Sequence, residues 1–109
     1  MANAFKNGYL DITSSAQTIY TVPASTETIV MSLRVTNVNG TASDYVTADV
    51  LDGTSGNSRI AYQLTIPADT SVDLIENKIV LEATDYIQLS GGQASGYLEA
   101  LISVVEITA

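Results

Sequence analysis

From Gln17 onward, apolar and polar positions alternate with a period of two on both sides of a proline. Gln17 to Val22 leads into Pro23-Ala24-Ser25-Thr26. Along Glu27 to Val38, Ile29, Met31, Leu33 and Val35 then alternate with Val30, Ser32, Arg34 and Thr36. This spacing predicts a strand, a turn and a long second strand, with Ile29, Met31, Leu33 and Val35 facing a core. Pro23 disfavours a helical conformation at Val22, which suits the end of a strand. No stretch of the chain carries a helical period.

Other segments alternate in the same way. Tyr9 to Ile12 predicts a short first strand with Leu10 and Ile12 on one face. Residues 1–8 read as an N-terminal arm anchored by Phe5, and residues 9–109 as a single domain. Asn39-Gly40 tolerates the positive φ angles of a tight hairpin, so Tyr45 to Leu51 is expected to pair back on Ile29 to Val38. Arg59 to Ile66 alternates most regularly, with Ile60, Tyr62, Leu64 and Ile66 expected inward. Short segments follow at Val72–Ile75, Ile79–Leu81 and Tyr86–Ser90. The last strand, Tyr97 to Thr108, sets Leu98, Ala100, Ile102 and Val104 on one face. Leu101, Val105 and Ile107 lie on the other, which predicts a central position in a sheet or a subunit contact.

One corner recurs. Tyr20-Thr21-Val22-Pro23-Ala24-Ser25-Thr26 is echoed by Leu64-Thr65-Ile66-Pro67-Ala68-Asp69-Thr70, as if one turn were made in each half of a sandwich. Eight or nine short strands with frequent turn signals define the expected fold. It is all-β, an antiparallel β-sandwich of jelly-roll-like form.

Composition narrows the chemistry. The 109 residues contain no cysteine and no histidine, which removes disulfides, thiolate sites and the commonest general base. Twelve acids against four bases give a net charge of −8, unsuited to nucleic acid or an anionic membrane surface. The N-terminus lacks the apolar stretch of a secretory signal, so synthesis without Sec export is expected.

Asp52 to Asn57 lacks the ligand order of a calcium loop and reads as a turn. Asn39-Gly40-Thr41 fits the glycosylation sequon but equally a plain turn. Gly91-Gly92 with Gly96 has no lysine for phosphate. Asp69, Asp73, Glu76, Glu82 and Asp85 form an acidic run whose spacing fixes no catalytic pair across a cleft. We therefore expect no enzyme, no catalytic or cofactor-binding residue, no metal site and no cofactor. The candidate functional residues are interface residues: Phe5, Lys6, Tyr9, Tyr97, Leu101 and Val105. A carbohydrate-binding sandwich would need converging exposed aromatics, and six tyrosines without tryptophan give it little support.

The order of features resembles small β-rich virion structural proteins of tailed bacteriophages, including phages of cyanobacteria. The resemblance rests on the Thr18 to Ala24 turn and the long strand ending Val35-Thr36-Asn37-Val38-Asn39-Gly40. It continues through the Thr65 to Val72 corner, Asn77 to Ile87 and the closing Leu101 to Ile107, covering about Ser14 to Ile107. It implies a capsid decoration or cement protein that bridges major capsid subunits, with a tail, neck or fibre role as the alternative. It also implies a homo-oligomer, with a trimer favoured, and major capsid protein or other virion proteins as partners. The location implied is the virion, on the capsid exterior, after synthesis in the host cytoplasm.

Overall fold

A computed structural model of the chain describes residues 2–52, 56–93 and 96–108. Among them are nine strands and no helix: β1 (Ala2–Ile12), β2 (Gln17–Thr21), β3 (Thr26–Asn37), β4 (Asp44–Leu51), β5 (Asn57–Ile66), β6 (Ser71–Asp73), β7 (Ile79–Leu81), β8 (Tyr86–Gly91) and β9 (Leu98–Thr108). They form two antiparallel sheets. Sheet A runs β1-β9-β3-β6, with β7 also on β3, and sheet B runs β2-β8-β4-β5.

The strand β6 pairs with Arg34–Thr36 and β7 with Thr28–Val30, so the two share one interrupted position beside β3. Counted as one, they complete a nested set: β1 with β9, β2 with β8, β3 with β6 and β7, β4 with β5. A long nested hairpin rolled so that β9 meets β3 and β8 meets β4 is a jelly roll. The expected sandwich is present, and β9 is indeed central, between β1 and β3.

The echoed corners are equivalent in geometry. Ser25 has φ 57° and Asp69 has φ 59°. In each, a threonine hydroxyl donates to the carbonyl two residues earlier, Thr26 to Ala24 and Thr70 to Ala68, both at 3.1 Å. Each corner carries the chain from sheet B to sheet A, β2 into β3 and β5 into β6. The repeated sequence reflects one crossing made twice.

Four expectations need correction. First, the buried face of β3 is not Ile29, Met31, Leu33 and Val35. Against β9 the register passes from Val30↔Val104 directly to Ser32↔Ser103, leaving Met31 as a bulge. A one-residue insertion inverts the faces beyond it. Thr28 and Val30 therefore point inward before the bulge and Leu33 and Val35 after it, while Met31 is 44% exposed.

Second, Asn39-Gly40 does not close a hairpin. The strand β4 pairs with β5 and β8 and none of its residues pairs with β3, because the chain crosses from sheet A to sheet B there. Asn37 fixes that crossing. It is fully buried, donates from Nδ2 to the carbonyls of Ala42 and Ile66, and accepts from the Asn39 amide.

Third, the regular alternation of Arg59 to Ile66 is broken. Its register against β4 slips between Leu64 and Ala61, Gln63 takes φ 48°, and Tyr62 is 61% exposed. The displaced Gln63 amide donates to Thr47 Oγ1 at 3.1 Å. Fourth, the first strand begins at Ala2, not Tyr9. Residues 2–8, expected as an arm, pair with β9 along its C-terminal half.

The core fills the space between the sheets. Ile12, Leu33, Ile66, Ile87, Leu89, Leu98 and Ile102 are its largest fully buried side chains, with contributions from both sheets. Residues 53–55 of the turn expected at Asp52 to Asn57 and residues 94 and 95 of the glycine-rich tip lie outside the described residues.

Candidate assembly surface

Directly opposed residues in antiparallel strands share a face, so the registers define rows across each sheet. On the outside of sheet A, Phe5 lies opposite Val105, Val105 opposite Ile29, and Ile29 opposite Val80. This row is apolar across its whole width. Phe5 is 80% exposed and Val80 66%, with Ile29 and Val105 half-buried between them. Met31, pushed out by its bulge, adds to the same side. A second row sets Tyr9 opposite Leu101, then Arg34, then Asp73. A shallow depression between these strands is lined by Tyr9, Arg34, Thr36, Glu99 and Leu101.

The structure thus brings together four of the six expected interface residues: Phe5, Tyr9, Leu101 and Val105. Tyr97 stands apart, half-buried and packed against the core. Lys6 is on the opposite side of β1, sharing the inward parity of Leu10 and Ile12, and its Nζ lies 3.0 Å from Glu106 Oε1.

Glu106 is the functional-looking group that the sequence reading passed over. It is buried among the core-facing residues of β9. The Tyr20 hydroxyl donates to its Oε2 at 2.6 Å, and that hydroxyl also lies 2.8 Å from Thr28 Oγ1. The hydrogen bond from Tyr20, assisted by Lys6, holds the Glu106 carboxyl below its ordinary pKa although burial opposes this. Burial foremost, then the bond to Glu106, pushes Tyr20 up to about 12. The signal was in the sequence, since Glu106 continues the inward series of Leu98, Ala100, Ile102 and Val104. Its partners come from β1, β2 and β3 and are set only by long-range pairing. The cluster ties the three strands together.

The acidic run does not converge. Asp73 accepts from the Leu33 and Ile75 amides, and Asp85 from the Glu82 amide, so these carboxylates hold turns. Among the described residues, no group of three or more His, Cys, Asp or Glu side chains could hold a metal ion. Asn39, in the glycosylation sequon, uses Oδ1 to accept from the Thr41 and Ala42 amides.

Several solved structures superpose on this chain. A chain of the acid-stable capsid of Helicobacter pylori bacteriophage KHP30 superposes with a TM-score of 0.59 at 11% identity. The match covers 100% of this chain and 95% of that one. A chain from Bacillus endospore appendages, described as a novel family of disulfide-linked pili, gives 0.57 at 13% identity, covering 98% and 87%. A chain of infectious bursal disease virus strain Gx gives 0.52 at 12% identity, and there this chain spans only 29% of its neighbour. These likenesses show the fold. No family model and no curated protein matches the sequence. Disulfide linkage is not available to this chain, which has no cysteine.

Proposed function

We propose that this chain is a non-enzymatic structural component of a bacteriophage virion. Within that class, we read it as a decoration or cement protein that binds the outer capsid lattice and bridges major capsid subunits. The observation that carries the reading is the end-to-end likeness to a chain of a phage capsid, with nearly all of both chains covered. The resemblance of residues 14–107 to phage virion proteins points the same way. The exposed apolar row on sheet A supplies a surface suited to such contacts, because wide apolar patches on a protein surface mark interaction sites. Each contact can be modest, since a symmetric lattice repeats it and avidity accumulates.

A tail, neck or fibre position is the second reading. It draws on the likeness to a pilus subunit, in which the same fold serves a filamentous appendage. Cryo-electron microscopy of purified particles separates the two. Density on the outer capsid surface, at lattice positions between major capsid subunits, is expected. Density confined to the tail would overturn the cement assignment, and absence from particles would overturn both.

A further inference from the structure

The four sheet edges are unequal. In sheet B, β2 has five residues with a register shift against β8, and β5 is bulged near Gln63. At the far edge of sheet A, β6 and β7 have three residues each. Shortness and bulges are the devices by which β proteins keep edges from pairing. The strand β1 has neither. It is eleven residues long, contains no proline, and pairs with β9 without a register shift. Its other side has no strand partner among the described residues. The one guard it carries is an inward-pointing lysine, Lys6, and that charge is neutralised by Glu106 at 3.0 Å.

We propose that β1 pairs antiparallel with β1 of a second copy of this chain, about a two-fold axis at Asn7. The pairing would join the two copies of sheet A into one continuous sheet. Cross-strand partners must share a face, so the two-fold passes through a residue. An axis at Lys6 opposes two ammonium groups. One at Gly8 sets Phe5 against the partner's Asp11, and one at Phe5 gives up the C-terminal part of the strand.

The axis at Asn7 uses the full length of β1. It places Phe5 opposite the partner's Tyr9 and Tyr9 opposite the partner's Phe5. Lys6 then faces the partner's Gly8, and Asn3 faces the partner's Asp11. Aromatic cross-strand pairs are favourable and like charges are kept apart. Charge favours this edge as well. The chain carries −8 overall, but β1 holds one lysine and one aspartate, so the strand itself brings no net charge to the contact. The contact is two-fold, whereas the resemblance implies a trimer. It does not depend on the virion reading.

The absence of cysteine makes the test clean, because any introduced thiol is the only one. Opposed residues in an antiparallel pair have Cα atoms about 4.5–5.5 Å apart, within the disulfide range. Asn7→Cys is therefore expected to oxidise to a covalent dimer. Phe5→Cys is expected not to, since its copies would lie about 13 Å apart along the strand. Sedimentation should show the unmodified chain as a dimer. Phe5→Lys with Tyr9→Lys should weaken dimerisation at least tenfold, and Phe5→Lys with Tyr9→Glu should restore it through two ion pairs. Both positions are more than three-quarters exposed, so folding is spared. A monomeric unmodified chain, cross-linking at Phe5→Cys equal to that at Asn7→Cys, or failure of the charge-swapped pair to restore the dimer would each overturn the proposal.

Discussion

Two rows of residues, one across each sheet, summarise how the outer faces differ. Across sheet A the row is Phe5, Val105, Ile29 and Val80. Across sheet B it is Thr18, Gln88, Asp49 and Arg59. Both sheets bury equivalent apolar inner faces against the same core, which is all that folding of a sandwich requires. The apolar outer row on sheet A adds nothing to that core. The exposed large apolar side chains on sheet B are Tyr45 on β4 and Tyr62 and Leu64 on the β5 edge, and the Arg59 guanidinium lies 4.3 Å over the Tyr62 ring. The sheet B row is polar across its width, and the sheet A row is apolar across its width.

The comparison depends on where sheet A's outer face begins, and β3 decides that. Leu33 is fully buried and Met31 is 44% exposed, although simple alternation puts them side by side in the core. Leu33→Ala should cost about 3 kcal/mol, in the range of large-to-small core changes. Met31→Ala should cost under about 1 kcal/mol, because the side chain already meets solvent. Urea titration of both variants measures this. Equal costs would remove the bulge and return Met31 to the core.

This contrast also marks the limit of what the sequence disclosed. The two apolar faces of β9 offered its central place as one of two readings. Apart from residues 2–8 of β1, the strand positions and the two Pro-Ala corners were legible because they rest on local periodicity and turn chemistry. The bulges at Met31 and Gln63 were not, since a bulge is a property of a strand against its neighbour. The partner of β4 was hidden for the same reason: Asn-Gly signals a tight turn but not which sheet the chain enters next. Of the candidate interface residues, Phe5 and Tyr9 were named from an expected N-terminal arm, and Leu101 and Val105 from the second apolar face of the last strand. That they form rows with Ile29 and Val80 needed the registers.

A second test concerns the tie that holds β1, and with it Phe5 and Tyr9, onto sheet A. Glu106 has a lowered pKa in the folded state. Its contribution is therefore complete above the ordinary carboxylate range near ~4.3 and is lost as pH falls through the lowered folded value. Tyr20, pushed up to about 12, contributes below its ordinary value of 10.0, and that contribution is lost as pH rises toward 12. Glu106→Gln should cost about 1–3 kcal/mol at neutral pH, since Lys6 and Tyr20 lose a charged acceptor. It should also flatten the acid limb of the stability profile and leave most of the alkaline limb, since burial is the larger cause of the Tyr20 shift. Thermal melts across pH would show it, and an unchanged acid limb in the variant would mean that Glu106 is not the group titrating there.

The smallest expected effect on stability is the most direct test of the two faces. Val80→Lys and Thr18→Lys place the same charge at the end of each outer row, at positions open to solvent. Each should change folding stability by no more than about 0.5 kcal/mol. On the cement reading they should differ in particle binding. Val80→Lys desolvates a charge against the shell and lowers occupancy, and Thr18→Lys leaves occupancy as it was. Val80 lies at the edge of sheet A away from β1, so a loss there with the dimer intact assigns the face to the shell and the β1 edge to the second copy. Equal occupancy for the two variants would mean that the apolar row on sheet A does not contact the particle.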